Sequence, residues 1–258
     1  MNRYSRYRIA FQTILMKEIL RFARIWVQTV LPPVITTSLY YVIFGNLIGE
    51  RIGDMDGVNY IDFIVPGLIL MAVITNSYAN VVSSFFSSKY QRHVEELLIS
   101  PVPNWVILAG YVGGGVARGV VVGIAVTGVS LFFSELSIHH YGWTLVVFVL
   151  TSILFALGGF INAVYANSFD DISIVPTFVL TPLTYLGGVF YSIHMLPDLW
   201  QTISLANPVL YMVNAFRYGL LGVSDIGMGV ALGIILGFIV ALTSFSLYLL
   251  KRGVGIKH

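Results

Sequence analysis

The densest chemistry in this chain lies in residues 87–103, where Lys89, Arg92, His93, Glu95 and Glu96 fall within eight positions between long apolar runs. Charges that close together cannot sit in hydrocarbon, so the segment reads as a polar excursion between two membrane spans. Val94, Leu97 and Leu98 stand at i, i+3 and i+4, with Arg92, Glu95 and Glu96 on the polar side, which predicts a short amphipathic helix. Pro101 stops it by disfavouring helical geometry at Ser100, and Pro103 suits the first turn of the next helix. A short helix held between two spans is shaped to dock on a partner and pass its movement to both. The competing reading is a solvated loop containing one helical turn.

The remaining reactive residues point away from catalysis. There is no cysteine, which excludes disulfides, thiolate metal sites and cysteine nucleophiles. His139-His140 invites a metal, but no carboxylate or third histidine stands at ligand spacing, so both read as interface residues. Serines are plentiful, yet no histidine shares their depth as a base, so an intramembrane hydrolase finds no support. Gly110, Gly114, Gly115, Gly119 and Gly123 could suggest phosphate binding. With no G-x-x-x-x-G-K-[ST] present, Gly115, Gly119 and Gly123 read as a small-residue ridge for helix packing. Arg118 interrupts that same apolar run; it either snorkels or binds neighbouring carbonyls, or it faces a cavity.

These residues must be carried by membrane helices. Apolar residues make up 57% of the 258 and charged residues 10%, against roughly 25% charged in an average soluble domain. The mean hydropathy of +0.85 agrees. Six runs are long enough to cross a bilayer, which takes about 20 residues: 25–48, 63–88, 105–134, 141–169, 172–191 and 226–250. The expected fold is an all-α polytopic membrane protein. Residues 1–24 hold Arg3, Arg6, Arg8, Lys17, Arg21 and Arg24 around an apolar stripe. That predicts an amphipathic helix lying on anionic lipid headgroups rather than one binding nucleic acid. Pro32-Pro33 should bend the first span, and Pro176, Pro182 and Gly187-Gly188 should make the fifth irregular. Residues 192–217, with Pro197, Trp200, Pro208 and Arg217, read as two short helices dipping into the outer face under cover of neighbouring protein.

The cations set the orientation. With the N-terminus inside, eleven lie in cytoplasmic segments, two (Arg51 and Arg217) outside and Arg118 within the membrane. Both termini, and the 253–258 tail with Lys257, are then cytoplasmic.

The chain resembles the ABC-2 type transporter permeases over nearly its whole length. The likeness is carried by residues 94–103 (Val-Glu-Glu-Leu-Leu-Ile-Ser-Pro-Val-Pro), by 186–193 (Leu-Gly-Gly-Val-Phe-Tyr-Ser-Ile), and by Leu196-Pro197 and Asn207-Pro208 with Arg217. It is most similar to short bacterial inner-membrane permeases without a fused nucleotide-binding domain. The resemblance implies a transmembrane domain over 25–252, a coupling helix between spans two and three, and a homodimer served by two copies of a separate ABC ATPase. That ATPase would bind the ATP and magnesium, and this chain no cofactor or metal. The coupling contact would fall on Arg92, Glu95, Glu96, Leu97, Leu98 and Pro101. Movement there would open a cavity lined from spans one, two and five, with Tyr40, Tyr41, Phe44, Asn76, Asn80 and Tyr185 as candidates. The transport expected is export of an amphiphile, a lipid or a glycan-linked lipid. An ion-coupled secondary transporter is the alternative, but no midplane carboxylate and no inverted repeat support it.

Overall fold

A computed structural model describes residues 2–253 and Gly255, apart from Asp56 and Ser137. Most of the predicted 253–258 tail, including Lys257, lies outside the described residues. The elements in chain order are α1 (Arg3–Arg24), α2 (Trp26–Tyr40), α3 (Gly49–Ile52), β1 (Asp54–Met55), β2 (Val58–Asn59), α4 (Tyr60–Tyr90), α5 (His93–Ile99), α6 (Asn104–Ser130), α7 (Tyr141–Tyr165), α8 (Asp171–Val175), α9 (Thr181–Tyr185), α10 (Asp198–Leu205), α11 (Pro208–Leu221) and α12 (Met228–Arg252). The architecture is all-α apart from a two-residue antiparallel ladder between β1 and β2.

Among the described residues, five helical segments are long and apolar enough to cross a membrane: 26–45, α4, α6, α7 and α12. The expected fifth span, 172–191, is not one such helix. α8 passes through a π-helical stretch (Pro176–Leu180) into α9, and the chain then turns at Gly188, whose φ of +71° suits glycine. The prolines explain the break, since each removes a backbone donor. Helical residues 171–185 extend about 22 Å at 1.5 Å per residue, short of the roughly 30 Å hydrocarbon thickness. The first run is also irregular: beyond Pro32-Pro33, α2 continues as a π-helix over Tyr41–Ile48.

The core forms around α4, which packs along both α6 and α7. Ile64, Leu68, Ile69, Leu70, Ile74, Val81 and Phe85 on α4 are buried against Tyr111, Val122 and Phe160 from its two neighbours. The glycines of α6 make these approaches possible. A Cβ at Gly115 would stand 2.6 Å from Val81 Cγ2 and 2.9 Å from the Ser77 carbonyl oxygen, and one at Gly119 or Gly123 would collide with Ser77 or Phe148. Gly110 and Gly114 face α1 instead, against Ile14 and Glu18. α6 is therefore a spine with small residues on two faces, one for α4 and α7 and one for the N-terminal helix.

α11 is more deeply seated than an outer-face helix needs to be, with Val209, Leu210, Met212, Val213 and Ala215 fully buried. Asn207 anchors its start, accepting from the Val209 amide at 2.9 Å and donating to the Leu183 carbonyl at 2.6 Å. Arg217, counted above among external cations, is only 1% exposed. It donates to the Gly188 carbonyl at 2.6 Å and its guanidinium lies 3.7 Å from the Phe63 ring centroid. Its charge is spent holding α11 to the glycine turn and to the start of α4, and so reports nothing on orientation.

Candidate substrate cavity and coupling surface

A cavity of about 380 Å³ opens between α2 and α4 and reaches α6 at its base. Gln28, Pro32, Pro33, Thr36, Thr37 and Tyr40 form the α2 wall; Leu68, Met71, Ala72, Thr75, Asn76 and Ala79 form the α4 wall. The prolines shape the first wall, because without their N–H groups the carbonyls of Gln28 and Thr29 lose their helical donors. Arg118 is the single charged residue in the lining. It lies 14 residues from the start of α6 and 12 from its end, about 20 Å of helix from either. A cation so placed costs roughly 2.5–3.5 kcal/mol on insertion. Its Nε is buried without a hydrogen-bond partner, and among the described residues no carboxylate pairs with it. The charge acting on it is Arg21, of the same sign.

Of the six cavity candidates read from the sequence, Tyr40 and Asn76 line this space. Tyr185 and Phe44 are not in its lining and reach it only through Tyr40: the Tyr40 and Tyr185 hydroxyls meet at 2.8 Å, and Tyr40, Phe44 and Tyr185 all pack around Phe190, at 5.7, 4.8 and 5.8 Å. Tyr41 points elsewhere, fully buried against Phe133 at 5.3 Å, since neighbouring helical residues sit about 100° apart. Asn80 is likewise absent from the lining. It is fully buried and accepts from Arg21 through both its carbonyl and its amide oxygen, each at 2.8 Å.

That contact belongs to a polar cluster the sequence reading missed. Glu18 of α1 is 0% exposed; it accepts from Ser84 Oγ at 2.5 Å and pairs with Arg21 at 3.4 Å and Lys17 at 3.9 Å. The signal was present, because Glu18 sits between Ile14 and Phe22 at four-residue spacing on what becomes the buried face of α1. A carboxylate on an apolar stripe demands a partner.

α5 forms where the excursion was expected, between α4 and α6. Arg92 precedes it with φ +63°, the one non-glycine residue of positive φ among the described residues. The turn is held by the Arg92 N–H to the Lys89 carbonyl at 2.9 Å, and Lys89 itself donates to the Val164 and Ala166 carbonyls at 2.6 and 2.7 Å, capping α7. Ser100 ends the helix, its Oγ donating to the Leu97 carbonyl at 2.6 Å. The faces differ from the expected ones. Val94 is buried and Leu97 and Leu98 are half-buried against the protein's own core, so they are already largely occupied. The outward face is His93, Glu96 and Ile99, at i, i+3 and i+6, with Arg92 and Pro101 also exposed and Glu95 half-buried. Ile99 is 86% exposed. Beside this face, a groove of about 310 Å³ runs between α5 and α1, lined by Thr13, Lys17, His93, Glu96 and Tyr111 among others.

On the opposite side, His139 and His140 rings lie 4.4 Å apart beside a cavity of about 690 Å³ with Trp143, Tyr218 and Met228. Their backbone amides tie them to the Leu220 and Gly219 carbonyls of α11 at 3.1 and 2.8 Å. Among the described residues no three side chains of metal-ligating type come together. Pro197 caps the start of α10 and Trp200 is half exposed on it, while Pro208 opens α11.

The chain is 58% identical to the inner membrane transport permease YadH of Escherichia coli (strain K12) over 251 residues, 97% of this chain and 98% of that one. It is 25% identical over 218 residues, 83% of each chain, to Nodulation protein J of Rhizobium leguminosarum bv. viciae. With Nodulation protein J of Rhizobium meliloti (strain 1021) the figure is 24% over 239 residues. Residues 9–221 match the ABC-2 type transporter family, and the chain belongs to that family of membrane transport permeases.

Proposed function

We propose that this chain is the transmembrane subunit of an ATP-driven exporter of an amphiphilic, lipid or glycan-type substrate. It works as a homodimer on two copies of a separate ATPase, which holds the ATP and magnesium. The broken segment 172–191 acts as the fifth of six spans, both termini are cytoplasmic, and the bacterial inner membrane is its location.

One observation carries this reading: an exposed face of His93, Glu96 and Ile99 on a short helix whose Val94 is buried in the core and which packs on α4. A push on α5 is transmitted to α4 directly, and through the Lys89 cap to α7. Since α4 also forms one wall of the cavity, a displacement at the cytoplasmic face changes its shape.

The test is charge and shape reversal on α5. Glu95→Lys with Glu96→Lys should give a folded, membrane-inserted permease that no longer co-purifies with its ATPase or no longer couples to it. Like charges juxtaposed across an interface cost several kcal/mol. Ile99→Asp should act in the same way by burying an unpaired charge on docking. Retention of both binding and substrate-stimulated ATP turnover in these variants would remove α5 from the coupling path.

A further inference from the structure

We propose that the cavity between α2 and α4 takes an amphiphile with an anionic headgroup, a phosphate or carboxylate, which pairs with Arg118. The inference rests on the permease reading and names its substrate class. Three features of the cavity carry it.

Arg118 is uncompensated. No carboxylate lines the cavity, its Nε has no hydrogen-bond partner, and Arg21 nearby bears the same charge. Glu18, the one fully buried carboxylate among the described residues, is already committed to Ser84, Arg21 and Lys17. A second observation is depth. Arg118 sits near the middle of α6, too far along the helix for its side chain to leave the apolar region at either end. A guanidinium so placed is satisfied by a ligand that brings the opposite charge, and its planar donors suit two oxygens at once. The third is the lining. Gln28, Thr36 and Asn76 offer neutral hydrogen-bonding groups in the same cavity as the cation, while Leu68 and Met71 supply an apolar surface for a chain. Leu31, Ile35 and Leu39 on the same α2 are exposed, so the helix that walls the cavity also carries an apolar outer face.

Binding can be read without ATP or the ATPase, on the full-length permease in phosphatidylcholine nanodiscs, with labelled dodecyl phosphate and dodecyl maltoside as probes. Dodecyl phosphate should bind the tighter by about tenfold or more. Arg118→Gln should weaken dodecyl phosphate roughly 10–100-fold, the equivalent of losing hydrogen bonds to a charged group, and leave dodecyl maltoside unchanged. Arg118→Lys should keep the preference for phosphate. Ala72→Trp, which fills the cavity and leaves Arg118 in place, should weaken both probes. It keeps the test decisive if Arg118→Gln fails to fold. The proposal is overturned by a wild type that binds both probes equally, by dodecyl phosphate affinity that survives Arg118→Gln or Ala72→Trp, or by displacement with equimolar inorganic phosphate. None of these outcomes touches the α5 coupling test, so the two readings fail separately.

Discussion

Gly114→Ala tests the junction that attaches the N-terminal helix to the transmembrane bundle. A methyl group at Gly114 would land on the Cβ of Glu18 and stand 2.9 Å from its Cγ and 3.4 Å from Asn80 Nδ2. The obstruction is the root of a side chain on a packed helix, which cannot swing aside as a flexible tip can. α1 must therefore lift, drawing Glu18 away from Ser84 at 2.5 Å and from Arg21 at 3.4 Å. Overpacking of this kind costs about 1–3 kcal/mol. Weakening a buried hydrogen bond to a charged group adds about 1.5 kcal/mol, and the better helix propensity of alanine offsets about 1 kcal/mol. The net expectation is a loss of about 1.5–3.5 kcal/mol. Gly128 on the same helix is the control, because a Cβ there meets nothing within 4 Å and only the propensity gain of about 1 kcal/mol operates. Thermal unfolding of both variants in nanodiscs, with protease cleavage within α1 as a local readout, should show Gly114→Ala melting several degrees lower and cut faster. Gly128→Ala should be unchanged or slightly more stable. Equal melting of Gly114→Ala and wild type, with α1 equally protected, would refute the packing argument.

Two further outcomes are expected. Arg217→Leu should lower thermal stability by about 1–3 kcal/mol, the range for leaving a buried acceptor unpaired, because the Gly188 carbonyl loses its donor and Phe63 its cation; the melting midpoints of Arg217→Leu and Arg217→Lys check it, with Lys recovering part of the loss. Asp171 should show a pH signature: the Asn167 N–H, the Ser168 hydroxyl and N–H, and Lys89 hold its carboxyl below the usual range. A depressed folded-state value means stabilisation that is present above about pH 4 and lost as pH falls further, so the melting difference between wild type and Asp171→Asn should be visible at neutral pH and vanish in acid.

The sequence alone determined the class and most of the helical layout. Hydrophobic runs of bilayer length, proline positions and the charged island at 89–96 are local properties, and local propensity acts on them wherever the chain goes. The short helix before Pro101, the break in the fifth apolar run and the paired short helices after Pro197 were legible for that reason. So was the glycine ridge, because glycines repeated at four-residue spacing on an apolar helix have few other uses. Tertiary structure decided which face of each element was occupied. Leu97 and Leu98 look available for a partner in the sequence, but the turn at Arg92 rotates them onto the protein's own core and presents Ile99. Tyr40 and Tyr41 are equivalent in composition, yet one lines the cavity and the other packs on Phe133, a difference set by how α2 rolls against α4. Arg217 reads as an external cation until the Gly188 turn brings a carbonyl to it. Arg118 is the sharpest case. Its depth could be read from position, but its want of a partner could not, because that depends on where every other charge in the folded chain has already been spent.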